Sequence, residues 1–318
     1  MSAAVEREDA RVKLRGAPAF ALVVIGYAVA AAAGVVVARL LDGEALWLRA
    51  AAADAAATMV IFVFSILTDC SSFYDPYWSV APIPSAVWAA TAPGAEAVPL
   101  ARRVLVVALI SAWGLRLTYN WARGWTGFSA EDWRYVNLRK TTGRAYWLVS
   151  LLGLHLMPTV TVFLGMLPLF VALGHPIPFA VVSAAPPPFG VLDAVAALVM
   201  AAAIVVEATA DEQLRAFRRE NTVVGKICER GLWGLCRHPN YLGEVSLWWG
   251  LFAFGLAANA GAWWAYAVGA VWMTGLFTLI SIPMIDKRSL ARRPGYAEHM
   301  KRLRALLPLG PRGPRAGA

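Results

Sequence analysis

Apolar and polar positions fall along this chain in long alternating blocks. Apolar runs lie at about 18–40, 46–68, 77–94, 100–118, 147–172, 190–210, 243–258 and 262–284, separated by stretches rich in charge, glycine and proline. Most approach the roughly 20 residues that a helix needs to cross hydrocarbon. Only helices and closed barrels satisfy their own backbone groups in lipid. The pattern therefore predicts an all-α, polytopic membrane protein with about eight transmembrane helices. The third and seventh runs are short, which leaves tilted, re-entrant or interfacial placements open for them.

Charge orients the runs. With the N-terminus inside, the inner segments 1–17, 119–146, 211–242 and 287–318 hold 4, 5, 6 and 9 Lys and Arg. Basic residues concentrate on the cytoplasmic side, so both termini are expected in the cytoplasm and 173–189 outside. Omitting the 77–94 run would carry the basic 119–146 loop to the wrong face. The expected organisation is a cytoplasmic segment 1–17, helical spans over 18–118, a C-terminal membrane domain over 119–310, and a disordered Gly/Pro/Arg-rich tail at 311–318. The first run is too long for a signal-peptide core and reads as an uncleaved anchor. Pro176 to Pro188 reads as an extracytoplasmic loop.

Composition agrees with a membrane protein: 318 residues, 59% hydrophobic and 15% charged, with mean hydropathy +0.57. A soluble domain carries more charge. The net charge of +9 would suggest nucleic acid in a soluble chain. Here the bases sit in loops and no recognition module is present, so no nucleic-acid partner is expected. Arg outnumbers Lys 24 to 5 and Ala is abundant, which points to a GC-rich bacterial genome and an inner-membrane location. Cys70, Cys228 and Cys236 all fall on the expected cytoplasmic side, where disulfides are rare, and none has metal-ligand spacing. No metal is expected. His155, inside the fifth run, reads as a satisfied packing histidine.

The densest chemistry is Gly231-Leu232-Trp233-Gly234-Leu235-Cys236-Arg237-His238-Pro239-Asn240-Tyr241-Leu242-Gly243-Glu244. Pro239 suits the first turn of a helix and pushes His238 towards an extended backbone. The stretch predicts a loop, then Arg-His, then a helix entering the bilayer. Free N–H groups beside Arg237 make an anion site. Asn240 and Glu244, four residues apart, share one helix face.

This string resembles the C-terminal signature of the membrane sterol and steroid reductases, where a Trp-Gly, Arg-His, Asn-Tyr, Gly-Glu/Asp pattern binds NADPH. A shorter form, Arg-His-Pro-x-Tyr-x-Gly, occurs in the related isoprenylcysteine carboxyl methyltransferases, which use S-adenosylmethionine. Trp233, Asn240 and Glu244 extend the match towards the reductases. The resemblance, to the steroid 5-alpha-reductase-like part of that superfamily, covers about 210–308 firmly and 69–140 loosely. Through it Gln213, Phe217 and Arg218 match a Gln-Lys-x-x-Phe-Arg element at the phosphate end of NADPH. Leu214 stands where that element has lysine, with Arg215 the nearest substitute. Asp286 and Tyr296 match a closing element that covers the cofactor. The resemblance thus implies NADPH held by Gln213, Arg218, Trp233, Arg237, His238, Asn240, Tyr241, Glu244, Asp286 and Tyr296. The methyltransferases more often show paired glutamates near 285–287, where this chain has Ile285-Asp286-Lys287.

Reduction of a conjugated C=C needs a hydride and a hydrogen-bond donor for the developing oxyanion. Two polar corners at span ends offer one: Asp75 with Tyr77, and Tyr119 on the fourth run. The reductases use a Glu–Tyr pair on early spans, but no position here aligns with it one to one, and an interfacial aromatic belt explains the same tyrosines. Glu131-Asp132-Trp133-Arg134-Tyr135 is read as a loop closing over the cofactor, with Arg134 supplying charge. Glu207 is read as a buried partner for a loop arginine.

The sequence therefore predicts an NADPH-dependent oxidoreductase with a cytoplasm-facing cofactor pocket. It would reduce a C=C bond of a hydrophobic, lipid-like substrate (steroid, isoprenoid or fatty acyl) reached from the bilayer. An S-adenosylmethionine-dependent methyltransferase of a membrane lipid or prenylated thiol is the alternative. A transporter would show paired broken helices in two related halves, and none is visible.

Overall fold

Ala17–Leu40 (α1) and Leu46–Leu67 (α2) form the first hairpin of a helical bundle. The computed structural model describes residues 14–310 except 184, 222 and 224. Most of the expected N-terminal segment and the expected tail at 311–318 lie outside the described residues. After α2 the chain dips through a buried turn, Ser71–Tyr74, into Tyr77–Val80 (α3) and Pro82–Thr91 (α4). Leu100–Ala122 (α5) returns. Trp133–Thr142 (α6) leads through Tyr146–Ser150 (α7) and a π-helical turn, Leu151–Leu156, into Met157–Ala172 (α8). Val191–Glu220 (α9), Pro239–Ala258 (α10) and Trp263–Gly275 (α11) follow. A second π-helical turn, Leu276–Ser281, joins Ile282–Arg292 (α12), and Tyr296–Arg302 (α13) ends the helices.

Six of these stretches are long and apolar enough to cross a membrane: Ala17–Leu40, Leu46–Leu67, Trp133–Ala172, Val191–Glu220, Pro239–Ala258 and Trp263–Arg292. The other two expected passes, the short 77–94 run and the 100–118 run, fall outside this set. The 77–94 run breaks into helices of 4 and 10 residues. At 1.5 Å per residue neither covers hydrocarbon about 30 Å thick. The α5 helix has the length, but Arg102, Arg103 and Arg116 dilute its apolar character. The short pair and α5 nevertheless make a down-and-back pass. Trp88 and Ala89 meet Arg49 and His175 at one end, whereas Asp75 meets Tyr135 at the other. Leu14 and Arg15 join Gly127 and Phe128 at that second end, where Arg237 also meets Leu303. Both ends of the described chain therefore share one end of the bundle with the 123–146, 211–238 and 282–305 regions.

Close packing relies on small residues, as expected where helices cannot use hydrophobicity against lipid. A Cβ on Gly165 would lie 2.6 Å from the Trp248 ring, and one on Gly269 would overlap the Leu164 carbonyl oxygen. Two apolar cores result. One joins α4, α5 and α8 to α11 around Trp113, Trp248 and Phe254. The other joins α1, α2 and the 71–77 turn around Phe73, Tyr74 and Phe128. At the far end Arg102 and Asp193 make a fully buried two-pronged ion pair at 2.6 and 2.9 Å.

Candidate functional site: a basic pocket and a buried Tyr–Asp pair

Pro239 opens α10 and His238 precedes it with φ −134° and ψ 63°, the loop-to-helix junction the motif predicts. Backbone pairing fixes the junction: Arg237 N–H donates to Arg304 O, and His238 N–H to Ala305 O, both at 3.0 Å. Asp286 then gathers three donors. Arg237 Nη2 lies 2.8 Å from Oδ2, while His238 Nε2 and the Tyr296 hydroxyl reach Oδ1 at 3.0 and 2.6 Å. Charge-assisted bonds of this kind are the strong ones. Asp286 is therefore the post to which the 237–238 junction, α12 and α13 are tied. Burial and the Asp286 charge raise the Tyr296 phenol well above its usual range, so that hydroxyl stays a donor.

Around this post opens a pocket of about 690 Å³. Arg218, Lys226, Arg237, Arg288, Arg292 and Arg293 line it, and among the described residues no Asp or Glu does. Trp133, Phe217, Trp233 and Tyr241 give it aromatic wall. Tyr241 lies parallel to His238, with ring centroids 5.5 Å apart. Arg288 stacks 3.7 Å over the Trp133 ring. The Asn240 amide has no partner among the described residues, and Arg237 Nε is buried and unbonded. His299 also lines the pocket; burial lowers its pKa against the pull of Glu229, which lies 2.8 Å from Nδ1. Burial raises the Cys228 and Cys236 thiols, the latter to about 11. Both are buried, as is Cys70.

Of the sequence-predicted cofactor residues, Arg218, Trp233, Arg237, His238, Asn240, Tyr241 and Tyr296 line the pocket. The other three stand behind its wall. Gln213 Oε1 accepts from the Leu232 N–H at 2.9 Å and holds the Gly231–Gly234 turn. Asp286 anchors Arg237 and His238. Glu244 is buried in the bundle, where Trp113 and Trp248 each donate to it at 2.9 Å. Glu207 finds its arginine on α5, not in a loop: Arg116 lies 2.7 Å from Glu207 and 2.9 Å from Asp211. In the 131–135 segment Trp133, not Arg134, reaches the pocket. Arg134 folds back onto Asp132 at 2.9 Å.

The three candidate catalytic residues are dispersed. Asp75 accepts from the Tyr135 hydroxyl at 2.7 Å and does not orient Tyr77. Burial pushes its carboxyl up to about 7, against the Tyr135 bond. Tyr119 lies on the open face of α5, 64% exposed, with Arg123 over its ring. Tyr77 is buried, and its hydroxyl donates to Asp54 Oδ1 at 2.6 Å. Asp54 was missed in the sequence. The available signal was a lone acid in an Ala-rich apolar run, a pattern that marks function in membranes. Thr58, Thr159 and Tyr74 extend the pair into a buried hydroxyl cluster, with contacts of 2.9 Å between the threonines and 2.8 Å from Tyr74 to Thr159. His155 is satisfied, as expected, by Ser65 Oγ and Ser150 O at 3.0 Å each. Trp78, next to Tyr77, packs 5.8 Å from Trp113, which is bonded to Glu244.

The family described as "Protein of unknown function (DUF1295)" matches residues 61–303, a range holding the basic pocket and Tyr77 but not Asp54. "Uncharacterized protein C594.04c" of Schizosaccharomyces pombe is 26% identical over 231 residues, covering 65% of this chain and 64% of its own length. The chain thus spans just under two thirds of that relative. No solved structure matches.

Proposed function

The chain belongs to the DUF1295 family, and from its basic pocket we propose a membrane-embedded, NADPH-dependent reductase of a C=C bond in a hydrophobic, lipid-like substrate. One observation carries the reading: among the described residues, six cationic side chains and no carboxylate line a pocket of about 690 Å³. A dinucleotide bearing a diphosphate and a further phosphate matches that lining. S-adenosylmethionine, net cationic through its sulfonium and ammonium groups, would meet like charge there.

NADPH, when bound, supplies a hydride. The residues here hold it and manage the proton. Arg218, Arg292 and Arg293 offer bidentate donors to phosphate, and Lys226 adds a point charge. Trp133, Phe217 and Tyr241 offer flat surfaces to a base or ring. Asn240 has an amide free to bond. Tyr77 and Asp54 form the donor pair. With a proton on Asp54, the acid donates to the Tyr77 oxygen and frees the phenol O–H for a substrate oxygen. Reduction of an electron-poor double bond places negative charge there, where a pre-set donor acts most strongly. Thr58 and Tyr74 keep water-like polarity beside the pair while excluding bulk water.

Calorimetry on the detergent-purified protein tests the reading. NADPH should bind more tightly than S-adenosylmethionine, and binding should weaken as salt screens the arginines. Tighter binding of S-adenosylmethionine would replace it with the methyltransferase alternative.

A further inference from the structure

Five consecutive residues touch both polar regions. Glu131 Oε1 accepts from the Ser71 N–H at 2.8 Å. The Asp132 N–H donates to Ser72 Oγ at 3.1 Å. The buried Tyr135 hydroxyl donates to Asp75 at 2.7 Å. All three bonds hold the turn that ends in Tyr77. Between them Trp133 faces the other way, lining the basic pocket under Arg288. Residues two apart on a helix do not share a face, so the first turn of α6 presents Trp133 to the pocket and Tyr135 to the turn. Asp132 fixes that geometry by capping the helix, accepting from the Arg134 N–H at 2.8 Å. Among the described residues, Trp133 is the one that lines the pocket from outside the 214–299 region.

Resting on the nucleotide reading of that pocket, we propose that Glu131–Tyr135 couples cofactor binding to the Tyr77–Asp54 pair. Trp133 is the nucleotide-contacting residue, and Tyr135 is a positioning residue that acts through Asp75. A ligand that packs on Trp133 restrains the start of α6. The same restraint passes to the 71–77 turn, because the two segments share three side-chain bonds. Tyr77, already bonded to Asp54, then leaves that register less often when the pocket is filled. Coupling of this kind is a free energy between two sites and needs a ligand that distinguishes the two states.

Hydrogen–deuterium exchange of the 71–77 amides, with and without NADPH, tests the proposal without knowledge of the substrate. In the parent, NADPH should slow exchange there by about 10-fold. Tyr135→Phe should bind NADPH as the parent does in calorimetry, yet lose the NADPH-dependent slowing. Trp133→Leu should weaken NADPH binding roughly 3- to 10-fold, the worth of a good aromatic contact, and also lose the slowing at saturation. Arg288→Gln, which breaks the stack from the other side, should behave like Trp133→Leu and serves if that variant fails to fold. A Tyr135 bond that only stabilised the turn would raise exchange equally with and without NADPH, and that outcome overturns the proposal. So does full slowing in Tyr135→Phe, or NADPH binding to the parent with no change at 71–77; either leaves the nucleotide reading standing. Failure of NADPH to bind the parent removes both.

Discussion

The two polar regions of this bundle are built from different chemistry. The pocket at 214–299 is ionic: six cations line it, and its single carboxylate post, Asp286, is hidden behind Arg237, His238 and Tyr296. The interior near Tyr77 is built of hydroxyls, of Thr58, Tyr74 and Thr159, around one carboxyl, Asp54, bonded to Tyr77. An ionic, part-open pocket suits capture of a charged molecule. A buried donor pair suits stabilisation of charge that arises only during reaction, because fixed donors in a dry site cost no reorganisation at that moment. The division teaches that affinity and turnover should separate cleanly between the two regions.

The sharpest break of that separation is Tyr77→Phe. It should lower turnover by about 10²- to 10⁴-fold, the range for a general acid, while leaving NADPH affinity intact. Asp54→Asn should follow the same pattern with a smaller loss, since an amide N–H can still donate to the phenol. Both are measured as substrate-dependent NADPH oxidation beside calorimetry. A tenfold loss of NADPH affinity in either variant would merge the two regions into one.

On the pocket side, Arg237→Ala and Asn240→Ala should weaken NADPH binding. A hydrogen bond to a charged group is worth about 1.5–3 kcal/mol, or roughly 10- to 150-fold in affinity at 1.4 kcal/mol per decade. Asp286→Asn should have an effect of similar size, because Arg237 and His238 lose the charge that holds them. Turnover at saturating NADPH should stay near that of the parent in Asn240→Ala. If it collapses, Asn240 belongs to the chemistry.

How much of this was legible in the chain differs between the regions for a physical reason. The pocket is largely local in sequence: Pro239 at the helix start, the 231–244 motif and the 286–296 element announce themselves by residue order. Seven of the ten expected cofactor residues line it. Arg288, Arg292 and Arg293 were visible as a basic run but could equally have lain on lipid. The donor pair is non-local. Tyr77 stands out by residue type, but its partner is 23 residues away, whereas Asp75 is the acid nearest to it in sequence. Asp75 is turned to Tyr135, 60 residues on. The all-α membrane fold follows from composition and run length alone. The break at Ala81, which shortens the third pass, follows from Pro82 and Pro84, since proline removes a backbone donor and clashes with the preceding turn.

The smallest effect lies between the regions, at Asp75. Its carboxyl is raised to about 7 by burial, against about 3.9 in an unfolded chain. The folded state therefore holds a proton that the unfolded state releases. The stability this gives is fully present below about pH 4 and drains as pH rises through 7. Melting temperature should fall between pH 5 and pH 8, and Asp75→Asn should flatten that fall. An unchanged slope in the variant would assign the pH dependence to other groups.

The central claim is that the basic pocket holds NADPH. Native mass spectrometry of the detergent-purified protein, before and after addition of excess NADPH, tests it most directly. The account predicts one bound nucleotide per chain with the mass of NADP(H), lost in an Arg218→Gln/Arg293→Gln variant that keeps the parental melting temperature. A bound S-adenosylmethionine, or no nucleotide adduct at any NADPH concentration, would contradict it.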